Sequence, residues 1–285
     1  MKTCWMVGVA LVLALGSVRA DDKPGLFEVT TVKDVAYSDA KDADPVKHKL
    51  DLYLPKGAKD FPVLVFIHGG GWTQGDRRSA VGFGTTLAKH GIGVAAISYR
   101  LSPKVKHPAH IEDVAQAFAW VKANIAKHGG KPELMFVSGH SAGGHLAALL
   151  ATDETYLKAH KLALSDVKGV IPISGVYRVG GGGRMKDVFG EDADVHKKAS
   201  PLTHVKENEP PFLILYADKE LGAIGKGSED MAAALKKVKV ETNCVEIKDR
   251  DHGTIMRNAA KEDDPALKLI LEFIAKHSGA KLASK

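Results

Sequence analysis

Apolar residues in this chain fall into short continuous runs, separated by segments in which they recur every three or four positions. Phe27 to Tyr37 and Lys47 to Leu54 read as an opening antiparallel pair of strands. In the second, Leu50, Leu52 and Leu54 alternate with other positions and Pro55 stops the run. Pro62 to Ile67 and Gly93 to Tyr99 are apolar along their length, the mark of strands covered on both faces. Ala80 to His90 predicts a helix between them. Ile111 to Lys127 predicts another: Ile111, Val114, Ala115, Phe118, Val121 and Ile125 share a helical face, and Gly129-Gly130 end it. Further strands are predicted at Glu133 to Val137, Gly169 to Ser174, Pro211 to Tyr216 and Thr242 to Lys248. Helices are predicted at Gly144 to Leu150, Ser228 to Lys237 and Pro265 to His277. This alternation predicts an α/β fold with a mostly parallel central sheet and helices on both faces.

One stretch departs from the pattern. Residues 176–209 are polar and irregular, with Gly180-Gly181-Gly182-Gly183 near their start. The glycine run lacks the Gly-Lys-Ser/Thr ending and the strand-to-helix setting of a phosphate cradle. It reads as a mobile loop, and the segment as a short cap. No repeat or linker divides the chain, so residues 21–285 read as one domain with a deep core.

Residues 1–20 read as an export signal: Lys2, the apolar stretch Val7 to Leu15, then Val18-Arg19-Ala20 before Asp21-Asp22. That stretch is shorter than the roughly 20 residues a spanning helix needs. Arg19 beside the cut leaves a retained N-terminal anchor as the alternative. The expectation is a secreted or periplasmic protein with no stable membrane insertion after cleavage. Of two cysteines, Cys4 lies in the signal, so Cys244 has no internal disulfide partner and packing must hold the fold. Cys244 is expected to be an inert buried residue. The formal charge is +6, but the lysines are scattered and no basic stripe alternates with aromatics, which argues against nucleic acid.

Chemistry is concentrated at Gly139-His140-Ser141-Ala142-Gly143, between an apolar strand and a helix former. A G-x-S-x-G sequence in that setting reads as a nucleophile on a sharp strand-to-helix elbow, where flanking side chains would collide with neighbouring backbone. An acyl-transfer serine also needs a base, an acid to orient it and donors for the oxyanion. Donors are offered by the glycines of His68-Gly69-Gly70-Gly71-Trp72, after the strand ending at Ile67, through the N–H groups of Gly70 and Gly71. Ala142, opening the elbow helix, supplies a third. Among thirteen histidines, His252 follows the last predicted strand, where a base can reach Ser141. The acid falls just beyond Tyr216, where both Asp218 and Glu220 stand.

His140 and His145 are five apart, not the four of a helical zinc pair, and no Glu follows the first, so no metal is expected. His68 and His140 are read as structural, shaping the loops through ring hydrogen bonds. Trp72 and Trp120 are read as packing residues, with Trp72 the one able to wall an acyl or leaving-group pocket.

With these motifs the chain resembles the α/β-hydrolase superfamily, and within it the esterase/lipase group with a His-Gly-Gly-Gly-Trp oxyanion motif. That group includes hormone-sensitive-lipase-like and feruloyl-esterase-like carboxylesterases and kynurenine formamidases. The resemblance runs from Tyr37 to Ile274 and takes in Lys49-Leu50-Asp51-Leu52-Tyr53-Leu54-Pro55, Ser98-Tyr99-Arg100-Leu101 and Ala199-Ser200-Pro201-Leu202-Thr203-His204-Val205. It implies Ser141 as nucleophile, His252 as base and Gly70, Gly71 and Ala142 as oxyanion donors. Laying the family's His-Gly-x-x-Asp acid loop over Tyr216-Ala217-Asp218-Lys219-Glu220 favours Glu220 as the acid, with Glu in place of Asp; Asp218 is the alternative. The implied activity is hydrolysis of small or soluble carboxylic esters without a cofactor, acetylated or feruloylated oligosaccharide esters included. The alternatives are an arylformamidase or amidase using the same triad, a peptidase, and a non-catalytic ligand-binding homologue.

Overall fold

The computed structural model describes Met1 and residues 25–284, so the expected export signal at residues 1–20 lies almost wholly outside the described residues. Eight strands form one sheet: β1 (Val29–Ala36), β2 (Lys49–Pro55), β3 (Phe61–Ile67), β4 (Gly93–Ile97), β5 (Gly130–His140), β6 (Gly169–Ile173), β7 (Phe212–Lys219) and β8 (Thr242–Asp251). Their spatial order is β1-β2-β4-β3-β5-β6-β7-β8. β1–β2 and β2–β4 pair antiparallel and every other neighbour is parallel. The opening hairpin and the parallel remainder are those the apolar pattern predicts. Strand ends shift by a few residues, and β5 is longer in both directions than its apolar run.

Nine α-helices flank the sheet among the described residues: α1 (Val81–Lys89), α2 (Ala109–Asn124), α3 (Ala142–Thr152), α4 (Glu154–Lys158), α5 (Arg184–Phe189), α6 (Ala193–Ala199), α7 (Ile224–Lys237), α8 (Thr254–Asn258) and α9 (Pro265–Ser278). Alternate strand residues point to opposite faces, and two apolar clusters result. One packs Val63, Val65, Val137 and Ile214 against Val114 and Phe118 of α2, Leu146 and Leu149 of α3, and Leu235 of α7. The other packs Leu64, Phe66, Phe136 and Ile171 against Phe83 and Leu87 of α1, Ile255 of α8, and Ile270 and Ile274 of α9. Both faces are covered, which is why the central strands have no polar alternation.

All the parallel strands end on one edge of the sheet. There the chain must turn into loops, and a ligand can approach backbone groups the ladder no longer uses. The segment 176–209 lies over this edge. It is more ordered than the sequence implies, folding α5, α6 and a 3-10 turn at Pro201–Thr203. No helix among the described residues is long and apolar enough to cross a membrane.

Candidate active site

The elbow begins where β5 ends. Ser141 has φ 55° and ψ −116°, outside the regions L-residues favour. Its neighbours explain how that backbone is accommodated. A methyl on Gly139 would stand 2.4 Å from the Gly143 carbonyl, and one on Gly143 would stand 2.0 Å from the Ile67 carbonyl oxygen. Only glycine lets β5, α3 and the end of β3 approach so closely. The Ser141 N–H donates to the Ile173 carbonyl (2.9 Å), and the Ser141 carbonyl accepts from the His145 N–H (3.0 Å). The hydroxyl is thereby held at the N-terminal end of α3.

His252 follows β8 and reaches back over the sheet edge. Its Nε2 is 2.9 Å from Ser141 Oγ and its Nδ1 is 2.8 Å from Glu220 Oε2. With Nδ1–H donating to the carboxylate, Nε2 is the acceptor for the serine proton. Glu220 Oε1 accepts from the Ala217 N–H (3.0 Å) and from the Ser174 hydroxyl. Burial acts to raise the Glu220 carboxyl, but the bonds from His252, Ser174 and Ala217 outweigh it and hold it below the usual range. The structure thus brings Ser141, His252 and Glu220 into one hydrogen-bonded chain.

Asp218 is not part of it. β7 continues through Asp218 to Lys219, and the Asp218 side chain accepts the N–H groups of Asp249 (3.1 Å) and Arg250 (2.9 Å). It fastens the end of β7 to β8, two residues before His252.

The glycine loop expected to carry the oxyanion donors, the oxyanion loop, leaves β3 at Ile67. Gly70 and Gly71 have φ of 113° and 60°, and a methyl on Gly70 would stand 2.1 Å from the Gln74 carbonyl oxygen. The Gly70 carbonyl accepts from the N–H groups of Thr73 (3.2 Å) and Gln74 (3.1 Å), closing a tight turn. The N–H groups of Gly70 and Gly71 make no bond elsewhere among the described residues. Beneath the turn, His68 stacks on Tyr99 at 4.4 Å between ring centroids. Burial pushes the His68 imidazole down to about 4, so it is neutral at pH 7.

Three contacts near the site go beyond the sequence reading, although for His140 a loop-shaping ring hydrogen bond was expected and only its partner was not. The Ser174 hydroxyl to Glu220 is one. The second is His140: its ring Nε2 lies 2.7 Å from the His252 carbonyl oxygen, and the two rings are 4.8 Å apart. Burial first, then the His252 charge, lowers His140 to about 4. The neutral ring therefore donates through Nε2 and tethers the His252 loop. The third is at Trp72, expected to be a packing residue with a pocket wall as the alternative, and it is the packing role that the structure shows. Trp72 is buried, and its Nε1–H donates to His145 Nδ1 (3.2 Å), whose Nε2 donates to the Ala199 carbonyl (2.7 Å). Phe189 packs edge-on against both rings. Trp72 and His145 thus pin the cap to the oxyanion loop.

The rings of His140 and His145 each donate to a backbone carbonyl, and among the described residues no group of three or more His, Cys, Asp or Glu side chains is placed to hold a metal ion. Cys244 is only partly buried, and burial raises its thiol to about 11, which keeps it protonated at pH 7.

Comparison with known proteins points the same way. Residues 50–179 match the BD-FAE family model. Esterase LipQ of Mycobacterium tuberculosis is 33% identical over 192 residues, 61% of this chain and 46% of LipQ. Kynurenine formamidase of Danio rerio is 26% identical over 261 residues, 86% of this chain and 83% of that protein. The chain spans less than half the length of the curated relatives LipQ, LipM and LipC. Among solved structures, a truncated carbohydrate esterase from gut microbiota superposes with a TM-score of 0.77 at 22% identity, covering 92% of this chain and 99% of that one. A thermophilic esterase from the Planctomycetes species Thermogutta terrifontis gives a TM-score of 0.72 at 25% identity, covering 93% and 96%.

Proposed function

We propose that this chain, a member of the α/β-hydrolase superfamily, is a serine carboxylesterase acting on small or soluble esters through an acyl-enzyme. One observation carries the reading: the unbroken path from Glu220 through His252 to Ser141, at 2.8 and 2.9 Å. Ser141 Oγ attacks the ester carbonyl carbon as His252 Nε2 takes its proton. The carbonyl oxygen becomes an oxyanion beside the N–H groups of Gly70, Gly71 and Ala142. Each such donor is worth on the order of 3 kcal/mol in the transition state. As the C–O bond breaks, His252 returns the proton to the departing alcohol oxygen. Water then attacks the acyl-serine, gives its proton to His252, and releases the acid as Ser141 regains its own.

The short cap of residues 176–209 favours compact or soluble substrates over long acyl chains. Residues 1–20 serve in this proposal as an export signal, so that substrate is met outside the cytoplasm. Fluorophosphonate labelling tests the nucleophile. The wild type is expected to label and to hydrolyse p-nitrophenyl acetate, and Ser141→Ala to do neither. A labelled Ser141→Ala variant, or an unreactive wild type, rejects the proposal. A second reading, N-formyl amide hydrolysis, is favoured by the match to kynurenine formamidase over most of both chains. A panel of acyl esters and N-formyl amides separates the two.

A further inference from the structure

Ser141 and His252 rest on supports of unequal firmness. Ser141 follows β5 in the interior of the sheet, and His140 before it pairs with Ile173 of β6. His252 lies in a two-residue turn between β8 and α8, and β8 ends the sheet, with β7 its one neighbour among the described residues. A turn beyond an edge strand opens more readily than the interior of a sheet. We infer that His140 is a positioning residue for the esterase reaction: its ring hydrogen bond to the His252 carbonyl holds the base against the nucleophile. The inference rests on the esterase reading and adds a fourth side chain to that site.

The turn shapes itself but does not place itself. The N–H groups of Gly253 and Thr254 donate to Asp251 Oδ1 (2.9 and 2.7 Å), and the Gly253 carbonyl accepts from the Arg257 N–H (3.3 Å). All of these partners move with the β8–α8 segment. On either side, Asp218 takes the N–H groups of Asp249 and Arg250, and Ile255 is buried, but neither contact includes His252. Among the described residues, one main-chain group of His252 and Gly253 bonds outside this segment. It is the His252 carbonyl, 2.7 Å from His140 Nε2.

Packing does not substitute for that bond. A cleft of about 320 Å³ separates the oxyanion loop, at Gly69, Gly70 and Gln74, from Met256 of α8, and His140 is part of its lining. Side chains in a filled interior have little room to shift, whereas α8 has space here to carry His252 away from Ser141. His140 bridges this gap. A methyl on Gly69 would stand 2.8 Å from the His140 carbonyl oxygen and 3.2 Å from its Nδ1, so the oxyanion loop rests on the same residue. Nucleophile, oxyanion loop and base therefore share one reference point. The ring suits the place because it is neutral at pH 7. A charged group 4.8 Å from the His252 ring would oppose the imidazolium that forms as Ser141 attacks. Displacing the base by about 1 Å can cost on the order of 10²-fold in rate. The bond is made inside the protein and not to substrate, so its loss falls on kcat.

The test separates the bond from the bulk of the ring. Values of kcat and KM for p-nitrophenyl acetate, and the rate of fluorophosphonate labelling, are measured in the full chain for the wild type, His140→Phe, His140→Leu and His140→Gln. Phe and Leu remove the donor, and the Gln carboxamide restores an N–H of similar reach. The expected result is a kcat at least about tenfold lower in the two donorless variants, a KM within about twofold of wild type, and labelling slowed in step. His140→Gln is expected to recover to within about threefold of wild type. A kcat that stays within about twofold of wild type in both donorless variants overturns the assignment. So does a Gln variant no faster than they are, or a loss that falls on KM. Failure of both donorless variants to fold makes the ring structural and overturns it too. A wild type that neither labels nor hydrolyses p-nitrophenyl acetate overturns the esterase reading, and the assignment with it.

Discussion

The hydroxyl of Ser174 and the carboxylate of Glu220 are hydrogen-bonded across the ends of β6 and β7, so the oxygen of Glu220 that does not face His252 is also committed. Ser174 has φ 48° and is fully buried, and its side chain has little freedom to do otherwise. Glu220→Gln keeps the shape but offers His252 Nδ1 an amide that can donate, which stabilises the wrong tautomer. The expected loss in kcat is on the order of 10³–10⁴-fold. Ser174→Ala removes one donor of two on Oε1, and about a tenfold loss in kcat is expected. That variant should also move the acid limb of the pH–rate profile upward, since the Ser174 bond is one of those lowering the Glu220 carboxyl. A profile that keeps its shape in Ser174→Ala would show the contact to be packing only.

Asp218 provides the contrast within the same loop. It accepts two backbone N–H groups of β8 and touches none of the three linked side chains. Asp218→Asn retains an acceptor and is expected to keep kcat within about twofold, whereas a triad acid would lose orders of magnitude. Steady-state kinetics on the purified variant decides it.

Much of this architecture could be read from the sequence, because parallel strands buried on both faces leave continuous apolar runs and the elbow leaves its glycines. Ser141, His252 and the Gly70-Gly71 turn stand where strand ends were expected. The residues alone leave Asp218 and Glu220 open, and only the family resemblance favours Glu220, for a specific reason. The apolar run stops at Tyr216, but β7 goes on to Lys219 with a register shift after Ala217. Asp218 falls at that shift, where its carboxylate is taken up by β8 N–H groups, and Glu220 is the next carboxylate, turned inward to His252. α4, α5, α6 and α8 are too short to show periodicity. The Trp72–His145–Ala199 link joins residues far apart in the chain, and no local pattern announces it.

Glycine substitutions should sort by what a methyl would meet. Gly143→Ala puts one 2.0 Å from the Ile67 carbonyl oxygen, backbone against backbone, and soluble folded protein is not expected. Gly70→Ala meets the Gln74 carbonyl oxygen at 2.1 Å with φ at 113°, but the strain is confined to one loop. It should fold and lose about 10²–10³-fold in kcat as the oxyanion donors are displaced. Gly182→Ala has nothing within 4 Å and should match the wild type in both respects. Circular dichroism with ester hydrolysis on the three variants checks the series.

Acid should unfold this protein through its histidines. Burial lowers His68, His107, His110 and His140 to about 4 and His145 to about 3, against an ordinary value of 6.5. Above pH 6.5 these rings are neutral in both the folded and the unfolded chain, and they make no pH-dependent contribution. Between pH 6.5 and about 4 the unfolded chain binds protons that the folded one refuses, so stability falls as pH falls. Each fully responding ring adds a slope of about 1.4 kcal/mol per pH unit. Several acting together would exhaust the typical stability of a domain before pH 4 is reached. His145 should contribute strongly, because its Nδ1 already accepts from Trp72 and a second proton there would break the link between cap and oxyanion loop. Denaturant unfolding at pH 8, 7, 6 and 5 is expected to give a flat line down to about pH 7 and a steep decline below it. His145→Phe should lower stability at pH 8 by about 2–4 kcal/mol, through the unpaired Trp72 N–H and Ala199 carbonyl, and should flatten the acid decline. A decline that is unchanged in that variant would move the acid sensitivity away from His145 and onto the other buried rings.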